Sequence, residues 1–527
     1  MKINSDTFKC AIEHIISSGD TDLFPRPFEL SFYRACIDQV SVALSELDLS
    51  NYNPMSLVES LVPKMKYGFR VAHQPYPVDT LIYTALVLFI YDDVERGRDA
   101  PEHNRAFSYR KIVGLDSNVF TPERNFRNWI GHLAIQAFRE DCNYVIKTDI
   151  SDFYLRIYRH RLENILSHLS GNAKAVRIIE KLLSDWRGRQ SFGLPVGSSA
   201  SRLLAEAALN DTDMALISEG YDFTRYVDDM VIFLKKDQDP YAALAFLAKQ
   251  LSSNEGLSLN NQKTKVLEWK EFIASVDQNT PEDDPSQEAL ATEKLFWAAY
   301  CNEDIDQDAL EALMKKDLQK ELEDLLSESF WDMGSIRIVI HAMRLVKNPE
   351  VAAYIRINLP DLVPFAKDVC LLIKDFIEAE IDGFGEISGE ITDLLLSIRM
   401  RPLDCARAWF LDLGVQKLVR FDSVDIRRLD ALTGTLDIRQ LHLIRWRSND
   451  LNYFRSRKTR VSEITIWSQP SFIFGASCLP KDEYEHWIRG IKSRLQFPLA
   501  KEFTDWCLRN HGKDPFIIDA TAGVIVT

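Results

Sequence analysis

In TRYVDDMVIF, residues 224–233, two adjacent carboxylates, Asp228 and Asp229, interrupt a run that otherwise reads as a strand. Acids among apolar neighbours are costly unless an opposite charge compensates them. A divalent metal ion is such a charge. A strand–turn–strand with Asp-Asp at its tip makes half of a two-metal site, and a further carboxylate must reach the same point. Asp149 in YVIKTDISDFYLRIYRHRL, residues 144–162, is the candidate, ending a strand-like run just before a helix-like one. Two Mg2+ ions about 3.5–4 Å apart need shared acidic oxygens. One ion lowers the pKa of an attacking hydroxyl, and both stabilise charge on a transferring phosphoryl group. The competing reading is a surface hairpin whose acids face solvent, since turns favour Asp.

The segments around these acids favour the chemical reading. In QSFGLPVGSSASRLLAEAAL, residues 190–209, Gly193, Pro195 and Gly197 make a rigid loop that lets backbone approach a ligand closely. Ser201 and Arg202 then open a helix. GLSLNNQKTKV, residues 256–266, carries Lys263 and Lys265 on a short loop.

In this order the four segments resemble the palm of the reverse transcriptases. DISDFY is similar to the first palm motif, GLPVG with its following Ser to the second, YVDD to the third and GLSLNNQKT to the fourth. The second motif usually carries Gln where Val196 stands, and a departure at this position is common among relatives outside the retroviruses. The resemblance implies Asp149, Asp228 and Asp229 as the catalytic, metal-binding acids, with Ile150 beside them in the metal site. It implies two Mg2+ ions, with Mn2+ as a substitute. Tyr154 matches the aromatic gate that clashes with a 2′-hydroxyl, and a core aromatic is the alternative. The resemblance also implies that Gly197 lies at the nucleotide. Lys263 matches the lysine near the triphosphate, against a solvated surface lysine. For the triphosphate, HNRAFSYRKI offers Arg105 and Arg110, and KYGFR offers Lys66 and Arg70; Arg105 and Arg110 are favoured, because an arginine fork suits phosphate oxygens.

The elements that must carry these residues divide the chain. Up to residue 274, β-rich runs such as YVIKTDI and YVDDMVIFL alternate with helical spacing, predicting an α/β first half, which the resemblance makes the fingers and palm of reverse-transcriptase type over 1–274. SVDQNTPEDDPSQEALATEK, residues 275–294, reads as an acidic linker. Helical patterns dominate 295–527, predicting an all-α domain, which the resemblance makes helical-repeat-like. The chain has 527 residues and a net charge of −15, of which residues 1–270 contribute −3 and the rest −12. That balance argues against nonspecific DNA coating but allows a local basic channel. Eight scattered Cys without a C-x-x-C pair argue against disulfides or zinc. No apolar run approaches the ~20 residues of a membrane span, and MKINSDTFKC has no apolar signal core. The expectation is a cytoplasmic protein with no membrane partner.

No His/Cys cluster of H-N-H type and no RNase H acid set is evident. DTDLFPRPFELSFY (20–33), RVAHQPYPVDTLIYTAL (70–86), SNDLNYFRSRKTR (448–460) and CLPKDEYEHWIRGIKSRL (478–495) resemble the bacterial abortive-infection and defence-associated reverse transcriptases. That group implies an anti-phage DNA polymerase and a homo-oligomer. It would join dNTPs into single-stranded DNA, primed from a protein hydroxyl and untemplated, or copied from a noncoding RNA. The alternative is a catalytically silent scaffold that binds nucleotide or RNA. In RWRSNDLNYFRSRKTR, Arg445, Arg447, Arg455, Arg457 and Lys458 surround Trp446, Tyr453 and Phe454, which suits single-stranded nucleic acid. The competing reading is a helix with aromatics in the core and solvated arginines.

Overall fold

The computed structural model describes residues 1–114, 119–188, 190–277 and 307–514. Its strands are β1 (Val58–Met65), β2 (Gly68–Gln74), β3 (Cys142–Thr148), β4 (Asp222–Tyr226), β5 (Asp229–Lys235) and β6 (Lys265–Glu268). β1 and β2 form an antiparallel hairpin, and the other four an antiparallel sheet in the order β4–β5–β3–β6. β5 is central, and its MVIFL run is buried residue after residue because both faces are covered. On one face, Val145, Val231 and Phe233 pack with Phe107, Trp129, Leu133 and Phe272. These come partly from helices Phe126–Gln136 and Trp269–Asp277.

The chain folds as two compact units. The first comprises Met1–Asp20, Ser41–Leu57 and the described residues from Pro75 to Asp277. The helix Pro77–Gly97 is buried along most of its length, with Pro at its start, where a missing N–H costs nothing. Helices Ser5–Ser18, Arg159–Ser170, Ala173–Arg187 and Ser199–Ala208 pack around it. The second unit comprises Thr21–Val40, Val58–Gln74 and the described residues 307–514, which beyond residue 307 contain helices and no strand.

The expected single block over 1–274 therefore needs correction, because two early segments belong to the helical unit. Their side chains explain the exchange. Phe28 and Phe32 pack against Phe474, Phe503 and Trp506, with ring centroids 5.3–6.1 Å apart. Arg439 Nη2 donates to both carboxylate oxygens of Glu29, at 2.8 and 2.7 Å, in a buried pair. The hairpin carrying Lys66 and Arg70 is in this unit as well, and Lys66 Nζ donates to the Glu328 carbonyl at 3.0 Å. Of the expected acidic linker 275–294, only residues 275–277 lie inside the described residues, where they end a helix.

Candidate active site

β4 and β5 pair so that Tyr226 faces Asp229, leaving Val227 and Asp228 as a two-residue turn. Such hairpin turns want a positive φ at their first position, normally supplied by Gly. Here Val227 takes it, at φ 58°. A β-branched residue in this region is strained by about 1–3 kcal/mol and persists only where its surroundings hold it. The turn leaves Asp228 and Asp229 half-buried at the sheet's end.

Asp149 follows β3 on the neighbouring strand. The loop after residue 256 fixes it: Asn260 N–H donates to the Asp149 carbonyl at 2.7 Å, and Asn260 Nδ2 donates to Asp149 Oδ2 at 3.0 Å. Lys263 Nζ lies 3.3 Å from Asp149 Oδ1 and remains more than half exposed. Ile150 is buried and bridged to Leu259. First and fourth segments thus meet as the sequence order suggests. Asn260 lies inside the quoted NNQKT stretch, but only the structure reveals its bond to the acid.

The three carboxylates feel one another. Burial, then Asp229 and Asp149, push the Asp228 carboxyl up to about 7. Burial and Asp149, which shares a hydrogen bond with it, push Asp229 up to about 6, while Lys263 opposes the shift. Among the described residues, no three His, Cys, Asp or Glu side chains form a ready-made cage for one metal ion. The donor chemistry nonetheless fits a divalent cation. Oxygen-only, crowded carboxylates held towards neutrality are what such an ion would relieve.

A pH dependence follows for the metal-free protein. Both acids have folded pKa values above the ordinary carboxylate range, so the folded state holds their protons longer. Their favourable contribution is full below pH ~4 and is lost as pH rises through 6 to 7. The melting temperature of this unit in chelator should therefore fall by several degrees between pH 5 and pH 8. Asp228→Asn should flatten that fall, and millimolar Mg2+ should reverse it at pH 8; thermal melts at both pH values check this.

Tyr154 stands beside these acids. Burial first, then the nearby Tyr109 and Asp228, hold its phenol protonated, with Arg202 opposing. Its carbonyl accepts from Leu194 N–H at 2.8 Å, docking the glycine loop alongside. Gly193 and Gly197 both have positive φ, 96° and 111°. A Cβ on Gly193 would sit 3.2 Å from the Leu155 carbonyl, so that close approach requires glycine. Ser198 then caps the helix Ser199–Ala208 by accepting from Ser201 N–H.

Residues 104–287 match the family described as "Reverse transcriptase (RNA-dependent DNA polymerase)". The chain carries a reverse transcriptase domain. The match spans the palm sheet and all three acids of this domain. Among solved structures, the chain is similar to the telomerase of Candida albicans complexed with a fragment of telomeric RNA. That pair shares 14% identity and a TM-score of 0.31, over 70% of this chain and 68% of that one. It is also similar to the apo telomerase of Candida tropicalis, at 15% identity and a TM-score of 0.33, over 68% and 70%. No curated protein matches the chain.

Two groups of sequence-predicted contacts are corrected by the structure. Arg110 is buried: its guanidinium donates to Glu95 at 3.0 Å and to the Ala106 and Asp99 carbonyls at 2.8 Å, so its fork is engaged internally. Arg105, a quarter exposed, pairs with Asp99 at 3.0 Å. In the C-terminal segment, the arginines meet acids or rings. Arg445 pairs with Asp430 and Asp450, and Arg447 with Asp514. Arg455 and Lys458 both pair with Glu483, whose carboxyl they hold down at about 2. Arg457 lies over the Tyr453 ring at 4.1 Å, and Phe454 is fully buried. Phe454 is core while Trp446 and Tyr453 are half-buried, and the basic side chains, exposed Arg455 included, are mostly engaged by acids of this unit. Changing Arg455, Arg457 and Lys458 together to Ala should leave product length and the salt slope of nucleic-acid binding unaltered, as gel analysis and filter binding would register.

Sequence reasoning missed a buried charge network behind the turn. Glu206 accepts from Arg98 at 2.7 Å and from Arg225 at 2.9 Å; Arg225 also donates to Asp213 at 2.8 and 2.7 Å, and Arg98 to Glu95 at 2.8 Å. With Arg110, three guanidiniums face three carboxylates, the balance that buried charges require. The available signal was Glu206 amid the Ala and Leu of SRLLAEAAL.

Proposed function

We propose that the chain synthesises DNA from dNTPs at Asp149, Asp228 and Asp229, with two Mg2+ ions or Mn2+ in their place, as part of anti-phage defence in the cytoplasm. The observation that carries this reading is the convergence of three mutually repelling carboxylates beside Tyr154. Bound metal would lower the pKa of the attacking hydroxyl and offset charge on the transferring phosphoryl group. Asp228 and Asp229 would hold it from the turn, and Asp149 from the adjacent strand. Asn260 orients the Asp149 carboxylate through its side-chain amide. Lys263, exposed beside Asp149, is suited to meet the triphosphate and donate a proton to departing pyrophosphate. The Tyr154 ring would fill the space that an extra 2′-hydroxyl needs, which favours deoxynucleotides.

The defence role rests on the stretches resembling abortive-infection enzymes, as do homo-oligomerisation, a repeat-like helical unit, and priming from a protein hydroxyl or copying of a noncoding RNA. Cells expressing the chain, challenged with phage beside an Asp228→Ala/Asp229→Ala control, test it. Protection by the parent alone, with newly made DNA in cells, is the expected result. Equal protection by both would favour a silent nucleotide-binding scaffold, a reading to which the Lys263–Asp149 pair lends weight. Sequencing the nucleic acid that copurifies identifies product and template.

A further inference from the structure

The strained turn is gripped from behind at both of its peptide groups. Val227 N–H donates to Ser108 Oγ at 2.8 Å, and the Val227 carbonyl accepts from Arg225 Nη1 at 3.2 Å. Both grips end on one side chain. Ser108 Oγ donates to Glu206 Oε1, and the same Arg225 Nη1 donates to Glu206 Oε2 at 2.9 Å. Ser108, Glu206 and Arg225 are fully buried. Ser108 is delivered by the 105–108 segment, which runs beside β4: Arg225 N–H donates to the Arg105 carbonyl at 2.7 Å, and Phe107 N–H to the Arg225 carbonyl at 3.0 Å. Arg98 and Asp213 then lock Glu206 and Arg225 from the far side.

We propose that Ser108 and Glu206 are positioning residues of the polymerase site, holding Val227 in its left-handed conformation so that Asp228 and Asp229 face Asp149. The strain supports this assignment. Val would leave positive φ if released, and the peptide linking Val227 to Asp228 would rotate with it. Ser108 and Glu206 are fully buried behind the turn, so their effect passes through the backbone they hold. Supporting groups of this kind typically change metal affinity or activity by about 10–100-fold when removed.

The inference rests on the polymerase reading of the three acids, and the test separates the two. Ser108→Ala removes one hydroxyl and leaves every ion pair in place. In the full-length protein, kcat for dNTP incorporation should drop at least about tenfold, with KM for dNTP changing less than about threefold. Calorimetric titration with Mn2+ and no nucleotide should show binding weakened at least about threefold. Glu206→Gln, which keeps one oxygen acceptor, should move both quantities the same way. An inactive parent would fail the polymerase reading itself. With an active parent, unaltered kcat and Mn2+ affinity in Ser108→Ala would overturn the inference. So would an activity loss fully matched by a loss of folded protein in the melting curve, since that is a purely structural role.

Discussion

Asp228→Ala combined with Asp229→Ala is expected to lower nucleotide incorporation by on the order of 10³-fold or more while the protein still folds. The two carboxylates are the only acids on the turn, and Asp149 alone cannot hold metal at a transferring phosphoryl group. Folding should survive because these acids oppose it at neutral pH. Burial and mutual repulsion hold both carboxyls well above their ordinary range. Removing a pair that repels should leave the melting temperature in chelator unchanged or raised, with the gain largest at pH 8. The same change should abolish the stabilisation by added Mg2+. Incorporation assays with melting curves check both halves. Wild-type turnover in the double variant would remove these acids from the chemistry.

The second large effect concerns the sugar. Tyr154→Val should raise the ratio of ribonucleotide to deoxynucleotide specificity constants by roughly 10²-fold, because an apolar wall rejects one added hydroxyl by about that factor. Tyr154 is held for this task. Its carbonyl is tied to Leu194, its ring packs on Phe153 at 5.7 Å, and its phenol stays protonated next to Asp228 and Arg202. Competition between paired dNTP and NTP substrates measures the ratio directly. A ratio that stays put, with a lowered melting temperature, would make Tyr154 a core aromatic.

The acids and their order were legible in the sequence because each sits in a local pattern. A strand run ending at Asp149 and a hairpin tip at Asp228–Asp229 need no knowledge of distant contacts. The same holds for the two glycines of GLPVG, which read locally as a loop and both adopt positive φ. Partnership across the fold was illegible. Arg110 reads as a phosphate ligand until Glu95 and the Asp99 carbonyl are seen to occupy it. Arg445, Arg447, Arg455 and Lys458 read as a basic strip because Asp430, Asp514 and Glu483 lie 15 to 67 positions away. The assignment of Phe28 and Phe32 to the helical unit depends on aromatic partners more than 400 positions later. Charge and apolarity are written in a sequence, whereas which charges meet is decided only by the fold.

The most direct measurement is incorporation of labelled nucleotide by the purified full-length protein, with Mg2+ or Mn2+, offered dNTPs and NTPs in separate reactions. DNA built from dNTPs, dependent on the divalent ion and absent with Asp149→Asn, is the predicted result. Nucleotide binding without any incorporation, or incorporation that persists in Asp149→Asn, would contradict the account.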